Sequence, residues 1–345
     1  TGADFFRCVQ MMVDRLNATL SAQHAYLRNA GKQRLTDIGR KAVPVLINNL
    51  RYDDPDLLIH SLNVLGAIGD ESAISPIRKL LHNDPRDANV RFAAYEAMGL
   101  LPMAKGAFAL AQGLNDPVDN VRAAAAGAID RNYNTVLAAG IKNMIRDEDP
   151  AERCISRTIM DAECDTIFLD LIQEDVFREF ALEYLCRQAH GDVREHFSAL
   201  LKANGQAELA AAIQSSSCVE SGAALKVFAV DDSKMILNIY RSVLHNMGCD
   251  PTLFEFPAEA IKKIQAEKPD LIFTDLNMPE ISGVELTKAV RERYPKEALP
   301  IIMVTTQNEC QDNDAAMKAG VNAILNKPFN EAMLRAAMET HLKKH

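Results

Sequence analysis

Leu225-Lys226-Val227-Phe228-Ala229-Val230 runs directly into Asp231-Asp232, a short apolar stretch that ends on two acids. Runs of the same kind follow at 252–256, 271–274, 301–304 and 323–325, with helical stretches between them. Five short apolar strands alternating with helices imply a parallel sheet covered on both faces. That is the α/β doubly wound architecture, whose ligands sit at the carboxyl ends of the strands. At those ends stand Asp231 and Asp232 after the first strand, Asp275 after the third, Thr305 after the fourth and Lys327 after the fifth. The second strand contributes no such residue.

The chemistry of that set is specific. Three clustered carboxylates repel one another, so the crevice asks for a hard cation. Oxygen-only ligands with open water positions suit Mg²⁺ or Mn²⁺ rather than zinc. Lys327 adds a mobile positive charge and Thr305 a hydroxyl donor, which is the equipment for holding an incoming phosphoryl group. Taken singly, each feature has a plainer reading: Asp231-Asp232 as a helix cap, Asp275 as a turn residue, Lys327-Pro328 as a strand edge. Their agreement in order, at successive strand ends, favours a phosphoacceptor pocket.

These residues resemble a response-regulator receiver domain of the CheY-like kind. The resemblance covers about 120 residues from Leu225 onward and rests on four motifs. They are Asp231-Asp232, Asp275-Leu276-Asn277-Met278-Pro279 followed by Gly283, Thr305-Thr306, and Lys327-Pro328-Phe329. The intervals fit as well: Asp275 to Thr305 is 30 residues and Thr305 to Lys327 is 22. The resemblance implies a flavodoxin-like five-stranded fold and Asp275 as nucleophile toward the phosphohistidine of a histidine kinase or phosphotransfer protein. Asp232 and Asp275 would ligate Mg²⁺ directly, Asp231 directly or through water, and Asn277 through its backbone carbonyl. Lys327, in a cis bond to Pro328, would bind the phosphoryl oxygens, and Thr305 would swing toward them. Asn277 and Gln307 would border the path of the hydrolytic water. One departure stands out: Ile324 occupies the place where the family often carries an aromatic switch residue.

Upstream the period changes. Asp-Pro recurs at Asp54-Pro55, Asp84-Pro85, Asp116-Pro117 and Asp149-Pro150, with the prolines 30, 32 and 33 residues apart. Arg91, Arg122 and Arg153 keep a 31-residue step. Proline cannot continue a first helix but suits the opening of a second, and the preceding Asp can cap it. Helix pairs of this kind cannot bury their apolar faces alone and must stack into an all-α solenoid. The pattern resembles HEAT repeats: four clear units, a decayed fifth at 167–186 and a sixth pair to about Ile213. Phe5, Val9, Met12, Val13, Leu16 and Leu20, at helical spacing, point to a capping helix at the N-terminal end. The domain layout read from sequence is therefore a HEAT-like solenoid at 1–213, a small polar linker at 214–223 and a receiver at 224–345.

Composition narrows the function. The chain has 345 residues, 48% hydrophobic and 25% charged, and a net charge of −9. Counting from Leu225 gives 15 basic and 17 acidic residues, or −2, which leaves 23 and 30, or −7, upstream. No basic surface suited to nucleic acid is implied. No apolar run approaches the roughly 18–20 residues of a membrane span, and no leader pattern opens the chain. Seven scattered cysteines with no C-x-x-C suggest free thiols in a reducing cytoplasm.

The expectation is a response regulator that is not an enzyme, phosphorylated on Asp275 by a partner kinase. It would act through a protein ligand of the solenoid, with a homodimer as a further option. Two rivals stand beside it: a non-switching scaffold or phosphate sink, and an enzyme of lyase or phosphatase type. A phosphatase of the haloacid dehalogenase kind would want an acid at Asn277.

Overall fold

A computed structural model describes residues 2–21, 25–102, 107–146, 149–214, 224–278, 280–305 and 310–342. The chain divides into two compact units, Thr1–Met144 and Ile145–His345.

The first unit is all helix: α1 (Gly2–Ala18), α2 (Ala25–Ile38), α3 (Val43–Asn49), α4 (Pro55–Ile68), α5 (Ile74–His82), α6 (Ala88–Leu100), α7 (Ala107–Gly113), α8 (Asp119–Arg131) and α9 (Thr135–Met144). A short helix and a longer one alternate, and the longer ones, α4, α6 and α8, stack side by side through small residues. A Cβ on Gly66 would meet Ala97 Cα at 2.9 Å, and one on Gly99 would meet Ala128 Cα at 2.9 Å. At both positions only glycine permits the spacing, as expected where neighbouring repeats must share one core.

The Asp-Pro turns divide into two kinds. Asp54 accepts from the Asp56 and Leu57 amides with Pro55 opening α4, as the sequence suggests. Pro85 and Pro117 instead lie in loops, ahead of helices that begin at Ala88 and Asp119. Asp87 caps α6 in their place, and Asp116 is taken up by Arg91 through bonds of 2.7 and 3.1 Å. Arg91 also donates to the Pro85 carbonyl, and Arg122 to the Asp116 carbonyl, each at 2.7 Å. The 31-residue arginine step thus marks staples that tie a helix to the turn before it. Arg153 differs and lies 5.9 Å over the Phe180 ring.

Val13 in α1 and Leu20 in the turn just after it are fully buried. Met12, placed on the apolar face by its spacing, is 48% exposed. Neighbouring residues sit about 100° apart around a helix, so Met12 cannot share the inward direction of Val13. The side chain of Phe5 lies outside the described residues.

The second unit begins with α10 (Pro150–Asp161), α11 (Asp165–Leu171), α12 (Asp175–Arg187), α13 (Gly191–Ala203) and α14 (Ala207–Gln214). Phe168 packs against Phe177 and Phe197, with ring centroids 5.8 and 4.1 Å away. Apart from Gln214, the expected linker at 214–223 lies outside the described residues. There follow β1 (Leu225–Val230), α15 (Lys234–Asn246), β2 (Cys249–Phe254), α16 (Pro257–Ala266), β3 (Leu271–Thr274), α17 (Gly283–Arg291), β4 (Ile301–Thr305), α18 (Cys310–Ala319), β5 (Ala323–Asn326) and α19 (Glu331–Leu342).

All strand pairs are parallel, in the order β2-β1-β3-β4-β5. β2 starts earlier than its hydropathy suggests, because Cys249 and Asp250 pair with Leu225 and Lys226. It also stops earlier. Phe256 is 57% exposed, and Pro257 opens α16. Phe228, Val230, Ile272, Leu286 and Ile301 share one core cluster of this sheet. Among the described residues no helix is long and apolar enough to cross a membrane.

Candidate functional site

The order of strands places β1 and β3 side by side at the point where the chain reverses direction across the sheet, which is where a doubly wound fold opens its crevice. Both strands run out at the same level. The Asp231 amide donates to the Phe254 carbonyl at 3.1 Å, and the Asp275 amide to the Val230 carbonyl at 2.9 Å. β5 enters from the other side, with the Lys327 amide donating to the Thr305 carbonyl at 2.8 Å. The Lys327–Pro328 peptide is cis.

Side chains complete the site. Lys327 Nζ donates to Asp231 Oδ2 at 2.6 Å and lies 2.9 Å from Asp275 Oδ1. Asp231 is 1% exposed and Asp275 7%. Their remaining oxygens accept from backbone amides two residues on: Asp231 Oδ1 from Ser233 at 3.0 Å and Asp275 Oδ2 from Asn277 at 2.9 Å. Both acids are therefore oriented by the first turn of the chain after the strand. Thr305 is buried at the end of β4, in register with Asn326. Asp232 faces solvent, and Ser233 behind it caps α15 through the Ile236 amide. Pro279, Thr306 and Gln307 lie outside the described residues.

Two supports were not apparent from the motifs alone. A Cβ on Gly283 would come 2.1 Å from the Asp275 carbonyl oxygen, so α17 can begin against the acid's backbone only with glycine there. Ser282 and Glu285 lock that helix start with a reciprocal cap. Beneath Lys327 lies Tyr240 of α15, fully buried and stacked on Phe273 at 5.5 Å and Phe329 at 4.5 Å. Among the described residues its hydroxyl has no hydrogen-bond partner. Helical spacing marks Tyr240 as a core position, but no sequence signal says that this core is the floor of the crevice.

Electrostatics follow from the crowding. Burial, joined by the neighbouring Asp275 and Asp232 charges, pushes the Asp231 carboxyl up to about 7 against the pull of Lys327. Burial works against the Lys327 ammonium, but Asp231 and Asp275 outweigh it and hold the group protonated well above its ordinary value. Burial likewise raises the Tyr240 phenol well above its usual range.

Three carboxylates stand against one ammonium, an excess of negative charge that adds to burial in raising Asp231 to about 7. The oxygen-only donor set fits a hard divalent cation. Among the described residues, however, no three His, Cys, Asp or Glu side chains are gathered into a finished metal site, as Asp232 faces outward and Lys327 holds the two buried acids.

Comparison with known proteins decides the family. The response regulator receiver domain family matches residues 227–339. A chemotaxis protein CheY homolog of Campylobacter jejuni is 38% identical over 117 residues, which is 33% of this chain and 90% of that protein. This chain belongs to the response regulator receiver family. Chemotaxis protein CheY1 of Helicobacter pylori is 36% identical to the receiver over 120 residues, 34% of this chain and 97% of that one. Among solved structures, chemotaxis protein CheY4 of Vibrio cholerae is 33% identical, covering 35% of this chain and all of its own, with a TM-score of 0.34. Ahead of the receiver, residues 43–130 match HEAT repeats, which are the helices α3 to α8. The chain thus joins HEAT repeats to a two-component receiver domain.

Proposed function

We propose that this response regulator is phosphorylated on Asp275 and that the receiver governs what its helical region binds. The observation that carries the reading is the buried contact of one ammonium with two carboxylates, Lys327 at 2.6 and 2.9 Å from Asp231 and Asp275. Asp275 Oδ1 would attack the phosphorus of a partner's phosphohistidine, forming an acyl phosphate as the imidazole departs. Lys327, already beside that oxygen, would follow the charge onto the phosphoryl group, and the Thr305 hydroxyl would donate to it.

The Asn277 amide holds the other oxygen of Asp275 at 2.9 Å, which fixes the attacking one. Asp231, Asp232, Asp275 and the Asn277 carbonyl would hold Mg²⁺, or Mn²⁺, with Asp232 turning inward. When bound, the cation offsets charge gathered on the phosphoryl oxygens. No further catalytic group is needed for this role, so we assign the chain no enzymatic turnover beyond loss of its own phosphate. The layout supporting it is the solenoid at 1–213, the linker at 214–223 and the receiver at 224–345. Its partners would be a histidine kinase or phosphotransfer protein and a protein ligand of the helical repeats, met in the cytoplasm.

The test is incubation of full-length protein with acetyl phosphate and Mg²⁺, beside Asp275→Ala, followed by intact mass. Uptake confined to the wild type supports the reading; equal uptake by the variant overturns it. One observation favours the rival of a non-switching phosphate sink. Ile324 packs aliphatically against the cluster of Leu276, Met303, Ala316 and Val321, and has no ring to exchange between buried and exposed positions. Equal affinity for a solenoid ligand with and without phosphate would establish that rival.

A further inference from the structure

The helix α15 carries two contacts at once. On one side Tyr240 stacks on Phe273 and Phe329, each two positions from a site residue, Asp275 and Lys327. On the adjoining side Arg241, Ser242 and His245, spaced to share one helix face, meet the helices that open the second unit. Arg241 pairs with Glu163, and its Nε lies 3.8 Å from Asp192. Ser242 donates to Asp161 at 2.7 Å. The His245 ring stands edge-on to His190 at 4.9 Å. Asp161 is itself held by Arg157 and Tyr184.

Two features mark this contact as made for release. Ion pairs and a hydrogen bond run across it, polar links of the kind found in contacts that form and break. And Glu163 sits at φ 52, in the left-handed region where glycine is cheaper. A glutamate kept in that conformation, with its carboxylate on Arg241, points from an unfavourable backbone to a function for the side chain.

We propose that α15 is the receiver's output helix and that the acidic seat of Asp161, Glu163 and Asp192 is its effector contact, closed at rest and loosened when Asp275 is esterified. The proposal rests on Asp275 accepting phosphate. As Lys327 shifts toward the phosphoryl oxygens, Phe329 two residues on is drawn with it. The stack on Tyr240 then slackens, and α15 yields its hold on α10 and α13. Coupling of this kind is reciprocal: whatever opens the seat must also ease phosphorylation.

The experiment is hydrogen exchange by mass spectrometry on full-length protein, with and without acetyl phosphate and Mg²⁺, reading peptides across 157–165, 184–196 and 237–248. Exchange in all three should rise about fivefold or more on phosphorylation, the lower end of usual allosteric coupling. Glu163→Gln should give the same rise without phosphate and take up phosphate faster. Glu163→Gly, which relieves the backbone while removing the carboxylate, should do likewise and guards against a folding artefact in the first variant. Mass gain with unchanged or slowed exchange at the seat overturns the inference and leaves the phosphoacceptor reading standing. If the wild type gains no mass, that reading fails, and the seat is judged by Glu163→Gln alone. Altered exchange at 225–232 and 271–278 in that variant supports coupling, and unaltered exchange there ends it.

Discussion

Replacing Lys327 with Met keeps an unbranched side chain of similar length and removes the one positive charge that, among the described residues, pairs with the two buried acids. The ammonium is within 2.9 Å of both Asp231 and Asp275, and all three groups are at most one-tenth exposed. Removing one partner of such a pair commonly costs about 3–5 kcal/mol, because the charge left behind has lost its water as well. Here the loss has a ceiling. Asp231 can shed its charge by taking up a proton, and since its folded value is already about 7, doing so at pH 7 costs little beyond what the wild type already bears, which leaves most of the loss on Asp275. The expected destabilisation at pH 7 is therefore about 3–4 kcal/mol.

The sign with pH follows. Lys327 lowers the Asp231 value, so the variant holds that carboxyl above the wild type's value of about 7, and the extra penalty is absent below about pH 7 and grows as pH rises beyond it. At pH 9 it adds up to about 2 × 1.36, or ~2.7 kcal/mol. The assay is hydrogen exchange of β1 and β3 amides in metal-free buffer at the two pH values, corrected for intrinsic rates. This reads the sheet without assuming that the whole chain unfolds in one step. A deficit under about 1 kcal/mol at pH 7, or one that narrows toward pH 9, would refute the claim that Lys327 neutralises a desolvated acid pair.

Two further perturbations test other parts of the molecule. His60 of α4 is buried, and among the described residues neither ring nitrogen has a hydrogen-bond partner. Burial, with Lys32 and Arg28 nearby, lowers it from 6.5 to about 3. The folded chain refuses a proton that the unfolded chain accepts, so this contribution is complete above pH 6.5 and lost as pH falls toward 3. His60→Leu should gain on the wild type by about 2.7 kcal/mol between pH 7 and 4.5, from two pH units at ~1.36 each, read by urea titration; a constant difference excludes this origin. Gly283→Val would drive a side chain into the Asp275 carbonyl. It should cost about 1–3 kcal/mol in thermal unfolding and slow phosphate uptake; an unshifted midpoint would mean that α17 is free to move.

How much of this was legible in the sequence depends on distance along the chain. The strands could be read because alternation of short apolar runs with helices is a local property, and the strand-end residues Asp231, Asp275 and Lys327 came with them. A parallel sheet converts position at a strand end into position in one crevice, so three separated residues were placed together without knowing any contact. The start of β2 was not legible, since Cys249-Asp250-Pro251 carries turn-forming residues and is extended by its pairing with β1. Nor could the sequence tell which of two adjacent acids points inward, because successive residues leaving a strand face opposite ways. Asp231 is buried and Asp232 exposed.

The helices show the same limit more sharply. The Asp-Pro period found the repeats, but it could not tell Asp54, which caps its helix, from Asp116, which holds an arginine of another turn. On α15, periodicity assigns Tyr240 to a core and Arg241, Ser242 and His245 to a polar face, and stops there. The polar face finds its partners 78 and 81 positions back, at Glu163 and Asp161. Neither acid belongs to any motif, and Glu163 stands in a turn where composition alone would favour glycine. Two chemically ordinary stretches become informative only when the fold sets one against the other, with Tyr240, stacked beneath the Asp231–Asp275 crevice, on the adjoining side of the same helix. The side chains that couple two functional regions therefore need carry no signature in either. Here Glu163 carries a mark in its backbone, an αL conformation that an L-residue seldom takes and that Asp84 and Glu280 share.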